Sequence, residues 1–209
     1  MTIVQAIYSD LTKAKELDGH CPQEAGKTWL IPYVLYEGSW TLPDHLLRWL
    51  FDQMQEEGTF ENAFYDGTVK TADEFVQTMQ SPSNFPVFVF SGADCVGFAW
   101  LSGGSSNLVF ANFCFIKDAW EKCARETGGK LLDYWFAFPG EDGPLYEFIF
   151  GAVPSFNKAA ASYVYRLGWT YLGTVPQMVK SEYRADRASA EIYYISRFDY
   201  VEKEPQAAP

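Results

Sequence analysis

The chain has 209 residues, 48% hydrophobic and 18% aromatic, enough to bury a full core in what reads as one domain. Its formal net charge of -11 at pH 7 argues against a nucleic-acid backbone or an anionic membrane as the main partner, since both reward clustered Lys and Arg. Cys21, Cys95, Cys114 and Cys123 show no CxxC spacing and stand mostly apart from His20 and His45, which argues against a zinc site and suits reduced thiols; with no basic-apolar leader and no membrane-length apolar run, a cytoplasmic protein is expected.

Ile3, Ile7, Leu11 and Ala14 recur at helical spacing, predicting a short amphipathic helix within an N-terminal extension over 1–28, followed by a polar loop that holds His20 and Cys21. Trp29 to Tyr36 reads as a strand, and its internal Pro32 confines it to an edge or a bulge. Pro43 to Glu57 places Leu46, Leu47, Leu50, Phe51 and Met54 on one helical face, with Pro43 near the start and Gly58 just past the end. Thr71 and Glu74 have capping-box spacing ahead of Phe75, Val76 and Met79, so a second helix begins there. Phe60, Phe64 and Tyr65 fall in a bent helical connection between the two.

After the breaker run Ser81 to Pro86, three strand-like runs follow: Val87 to Phe90, Cys95 to Leu101 and Leu108 to Ile116. Their short links, Ser91 to Asp94 and Ser102 to Asn107, make them antiparallel neighbours in a meander. The second link is rich in Gly and Ser but lacks the following helix and the Lys-Ser/Thr ending of a phosphate-binding loop.

Between Asp118 and Phe138 two patterns coincide. Asp118 with Lys122, Glu121 with Arg125, and Glu126 with Lys130 each place an acid one helical turn before a base, and Trp120, Cys123, Thr127, Leu131, Tyr134 and Phe138 form a stripe. Both patterns cross Gly128 and Gly129, predicting one continuous helix that replacement of both glycines by Ala should stabilise. Leu145 to Val153 then reads as a strand closed by Pro154, Asn157 to Leu167 as a helix stopped by Gly168, and Trp169 to Val175 as a strand. Glu191 to Arg197 is the last strand, and 198–209 has the composition of a disordered tail.

This order of elements, with Asn157, Ala160, Leu167, Gly168 and Trp169, resembles the GCN5-related N-acetyltransferase (GNAT) superfamily over about Trp29 to Arg197. In that family's late motif an Asn opens the helix, an Ala follows three residues on, and a Leu-Gly-aromatic sequence ends it. The resemblance implies an α+β domain over 29–197: a mixed, mostly antiparallel sheet of about six or seven strands, its fourth and fifth strands splayed, flanked by about four or five helices. It further implies acetyl-CoA or another acyl-CoA lying in that splay, with backbone groups of Phe113, Cys114 and Phe115 along the pantetheine arm.

The family holds the pyrophosphate on an Arg/Gln-x-x-Gly-x-Gly/Ala loop. The nearest match here keeps Arg125 and Gly128 but ends on Lys130, inside the predicted helix, so phosphates would instead meet the first turn near Lys117. Asn157 completes the expected cofactor-binding set. Many family members use a Tyr of the late helix as a general acid; that position is held here by Val164, leaving Tyr163 and Tyr165 beside it as candidates, with Glu147 as a candidate base. Trp40, Phe60, Phe64, Tyr65, Trp100 and Trp120 are candidates to line an acceptor pocket.

Two functional readings follow. One is a divergent acyl-CoA-dependent N-acyltransferase acting on a small-molecule or peptide amine, compatible with a homodimer. The other is a protein that kept the fold as a binding or assembly module and resembles phage- or prophage-associated proteins.

Overall fold

The computed structural model describes residues 28–203 except 106, 118, 120–122 and 141–142, so the expected N-terminal helix, His20 and Cys21 lie outside the described residues. The sheet grows from the meander. Strands β4 (Asn84–Ser91), β5 (Asp94–Ser105) and β6 (Leu108–Phe115) pair antiparallel through short turns, and β1 (Thr28–Pro32) adds to β4 as an edge strand. β1 ends at the proline, as the missing N–H of Pro32 dictates. A two-stranded hairpin, β2 (Leu35–Tyr36) with β3 (Ser39–Trp40), follows in place of the longer strand expected through Tyr36. β4 starts earlier than expected and includes Pro86; the β1 ladder already ends at Pro32↔Val87, so Pro86 interrupts no pairing with β1.

Period-two patterning gives the sheet two buried faces. On one face Phe88, Phe90, Phe98, Trp100 and Cys114 pack against α1 (Asp44–Glu57), α2 (Phe60–Ala63) and α3 (Ala72–Met79). Gly58 ends α1 in the left-handed conformation (φ 69°), and the Thr71–Glu74 capping box opens α3, as the residue spacing requires. On the other face Val87, Val89, Ala99, Leu101, Val109, Ala111 and Phe115 pack against α4 (Ala124–Phe136) and α5 (Lys158–Arg166).

The α4 crossover carries the chain from β6 to a parallel neighbour, β7 (Phe148–Pro154), and the remaining order is β1-β4-β5-β6-β7-β9-β8. Here β8 spans Thr170–Val179 and β9 Ala188–Ser196, both paired antiparallel. The helix crosses Gly128 and Gly129 as expected, but α4 itself opens at Ala124 and not at Asp118. Of its charge ladder, Glu126–Lys130 is an observed ion pair at 2.5 Å, and the other two pairs involve residues outside the described set. The stretch expected as a tail begins with a further helix, α6 (Arg197–Lys203), whose start is held by the Ser196 hydroxyl bonded to Asp199.

One irregularity positions everything that follows. β6 and β7 pair only over Leu108–Phe110 and Phe148–Phe150, although β6 continues to Phe115 and β7 to Pro154. Beyond Phe110 the parallel ladder stops and the sheet is split.

Candidate functional site

The split opens into a cleft of about 260 Å³. Its walls are β6 (Ala111–Phe113), β7 (Gly151–Pro154), the turn after α2 (Phe64–Thr68) and the start of α5. Period-two alternation decides what each strand contributes: Asn112 faces the α1–α3 side with Trp100 and donates from Nδ2 to Ser102 Oγ at 3.0 Å. Asp66 is exposed at the rim, where its Oδ1 accepts from the Thr68 backbone N–H at 3.1 Å and the Thr68 hydroxyl at 2.8 Å. Tyr65 lies beside it, its phenol held above the ordinary range by burial and, secondarily, by the Asp66 charge.

Trp169 closes the inner end. Only 6% exposed, it stacks over Gly151, where an added Cβ would come within 3.3 Å of the indole. Its Nε1–H is buried with no hydrogen-bond partner among the described residues. An unsatisfied buried donor costs roughly 1–3 kcal/mol, so one at the wall of a cleft marks a place where a ligand acceptor would be favoured.

On the α4–α5 side a groove of about 1070 Å³ runs between the first turn of α4 and α5. Arg125 and Arg166 are exposed along it, with Ser162 between them on α5; Arg166 Nε also donates to the Ser162 carbonyl at 3.2 Å. Among the described residues the one carboxylate of the groove, Glu126, is tied to Lys130 and to the Thr28 hydroxyl at 2.9 Å, and these contacts lower its pKa. Groove and cleft are separated by packed rings: Phe113 lies edge-on to Tyr163 at 4.9 Å, beside a void of only about 10 Å³.

No family model matches the chain, and no curated protein matches it in sequence. Solved structures do. The spermidine N-acetyltransferase of Vibrio cholerae, in complex with CoA and spermine, superposes with a TM-score of 0.64 at 14% identity, over 82% of this chain and 98% of that one. An acetyltransferase of Salmonella typhimurium that modifies the N-terminal serine of ribosomal protein L7/L12 gives 0.65 at 10% identity, over 84% and 98%. A probable GNAT-family acetyltransferase of Chromobacterium violaceum gives 0.65 at 15%, over 86% and 89%.

The chain has the GNAT fold.

Within the GNAT fold the late motif behaves as its chemistry predicts. Asn157 caps α5 by accepting the Ala160 N–H at 3.1 Å, Gly168 turns the chain at φ 85°, and Val164 is core at 1% exposure. Asn157 also lines the cleft.

The candidate acids and base are placed differently from expectation. Tyr163 is buried and its hydroxyl donates to the Ala124 carbonyl at 2.7 Å, while burial drives its pKa well above 10. Tyr165 points away and is 73% exposed. Glu147 precedes β7 at the closed end of the split, its carboxylate bonded to the Asn107 amide and its N–H to the Asn107 carbonyl, so it does not face the cleft. β7 begins at Phe148, one residue later than a base on that strand requires.

Among the expected cofactor contacts, Phe113 is the one from β6 that lines the cleft. Phe115 is core on the α4 face, and Cys114 is core on the opposite face, with burial pushing its thiol up to about 12. The Lys117 N–H accepts no phosphate-like role here, being donated to the Glu57 carboxylate at 2.6 Å. Gly128 is not a phosphate-approach glycine: a Cβ there would meet Leu167 and the Tyr163 hydroxyl at 2.5–2.7 Å, so it permits α4 and α5 to pack closely. Arg125 does reach the groove. Arg166, Asp66 and Trp169 as a donor were missed. Arg166 ends a helix and reads as an ordinary C-terminal charge, and only the tertiary packing turns it toward Arg125.

Proposed function

We propose that the chain is an acyl-CoA-dependent N-acyltransferase that uses the split between β6 and β7. The observation that carries this reading is the split itself, where the parallel strands β6 and β7 stop pairing at Phe110 and a cleft opens between them. The residues fit the cofactor's two ends: Arg125, Arg166 and Ser162 offer cationic and hydroxyl donors to phosphates, and Trp169 offers a donor to a carbonyl. Bound there, an acyl-CoA supplies a thioester open to attack by an amine.

The chain's own part is orientation and electrostatics. The Trp169 indole N–H, a buried donor with no partner among the described residues, would donate to the acyl carbonyl oxygen. Asp66, the one carboxylate among the described residues that line the cleft, would accept a hydrogen bond from the incoming ammonium and so position the amine. Neither Tyr163, already bonded to Ala124, nor the outward-facing Tyr165 serves as an acid. Continuity between groove and cleft requires the Phe113 and Tyr163 rings to separate, which is the feature that favours the second reading, a binding module with the passage kept shut.

Thermal unfolding with and without millimolar acetyl-CoA, on the natural chain and on Trp169→Phe, tests the proposal. At a concentration about 100 times the dissociation constant the ligand adds about 2.7 kcal/mol, a rise of roughly 5–10 °C for a chain of this size. Trp169→Phe should reduce that gain by about 1 kcal/mol. No shift in the natural chain would favour the binding module.

A further inference from the structure

We propose that the cleft selects an amine bearing a single positive charge and otherwise only neutral hydrogen-bonding groups, with an amino sugar as the model compound; as an acceptor class this rests on the acyltransferase reading above. The lining supplies the argument. Among the described residues Asp66 is the only carboxylate along it, and no Lys, Arg or His lines it. The remaining polar side chains of the lining are uncharged: Asn62, Asn84, Asn112 and Asn157, with the hydroxyls of Tyr65, Thr68, Thr78 and Ser102.

Their hydrogen bonds leave capacity for a ligand. Asn112 and Asn84 each spend an Nδ2–H on the protein, to Ser102 at 3.0 Å and to the Thr78 carbonyl at 2.8 Å, while their Oδ1 atoms accept none among the described residues. The Oδ2 of Asp66 is likewise unengaged there, since Thr68 occupies Oδ1 alone. Trp100 and Phe64, stacked on each other at 5.5 Å and almost fully buried, add an apolar edge to the lining.

Charge and size exclude the neighbouring classes. A polyamine's second ammonium finds no second carboxylate among the described residues that line the cleft; Glu182 and Glu191, outside it, are paired with Lys70 at 3.4 Å and with Lys158 at 3.0 Å. An amino acid's carboxylate would meet Asp66 with no cation to offset it. The guanidinium close to the rim, Arg184, is stacked over the Phe156 ring at 4.1 Å. At about 260 Å³ the cleft falls below the range of drug-sized sites and holds one ring-sized group.

Titration calorimetry of the full chain with glucosamine, spermidine and glutamate, each with and without CoA, tests this. Glucosamine should bind at least about tenfold more tightly than the other two, and Asp66→Asn should lose about tenfold for glucosamine while keeping the acetyl-CoA-induced thermal shift. Spermidine or glutamate binding as tightly as glucosamine, no binding of glucosamine, or an unchanged affinity in Asp66→Asn overturns the selectivity. If the amine preference holds but acetyl-CoA produces no shift, the cleft's selectivity stands and the acyltransferase reading falls.

Discussion

Gly128 and Gly129 are adjacent in one helix, yet replacing each by Ala should move stability in opposite directions. In a helix interior Gly costs about 0.8–1.0 kcal/mol relative to Ala, and this gain is available at both sites. At Gly129 nothing lies within 4 Å of an added Cβ, so Gly129→Ala should stabilise by about 0.5–1 kcal/mol, or roughly 2–3 °C. At Gly128 the added Cβ would sit 2.5 Å from Leu167 Cδ1 and 2.6 Å from the Tyr163 hydroxyl. Tyr163 is anchored by its bond to Ala124, so α5 must back away from α4. Overpacking of this kind costs about 1–3 kcal/mol, which outweighs the propensity gain and leaves Gly128→Ala destabilised by about 1 kcal/mol. Urea unfolding of both variants, with unchanged m-values, measures the difference. The expectation from sequence that the double substitution stabilises the protein is thereby replaced by near-cancellation. A Gly128→Ala variant as stable as Gly129→Ala would refute the close α4–α5 packing.

Tyr163→Phe should cost about 1 kcal/mol through loss of the bond to Ala124, with kcat changed less than about twofold; a fall of 100-fold or more would instead make Tyr163 the general acid. Glu191 is held below its ordinary value of 4.5 by the Tyr193 hydroxyl first and Lys158 second. A depressed carboxylate stabilises fully above its unfolded pKa and loses that contribution as pH falls through the folded value. The advantage of the natural chain over Glu191→Gln in urea midpoint should therefore be present at pH 7 and shrink as pH falls below the ordinary value of 4.5 and through the depressed one; a gap that stays constant with pH would show that the charge is not involved.

Much of the architecture was legible because it rests on local rules. The Asn157 cap, the Thr71–Glu74 capping box, the left-handed Gly58 and Gly168 and the meander turns depend on residues a few positions apart. Even the crossing of α4 over its two glycines followed from the spacing of the stripe and the Glu126–Lys130 pair.

The site was less legible because its parts meet only across elements. Glu147 looked poised for the gap, but a shift of one residue in where β7 begins leaves it bonded to Asn107 at the closed end. Gly128 was legible as a residue inside a helix, but not that Leu167 and Tyr163, some forty residues away along the chain, fill the space above it. Asp66 and Arg166 carried no signal of their own, and Trp169 was legible as the aromatic of the late motif but not as a buried donor.

Sequence alone therefore determined most of the helices and strands, where they cap and turn, and that a helix joins β6 to β7. Tertiary structure alone decided where the parallel ladder stops, which side chains line the opening and which rings close it. The physical reason is range: capping, periodicity and turn chemistry act within about one helical turn of the chain, whereas burial and unpaired donors are set by neighbours that only folding brings together.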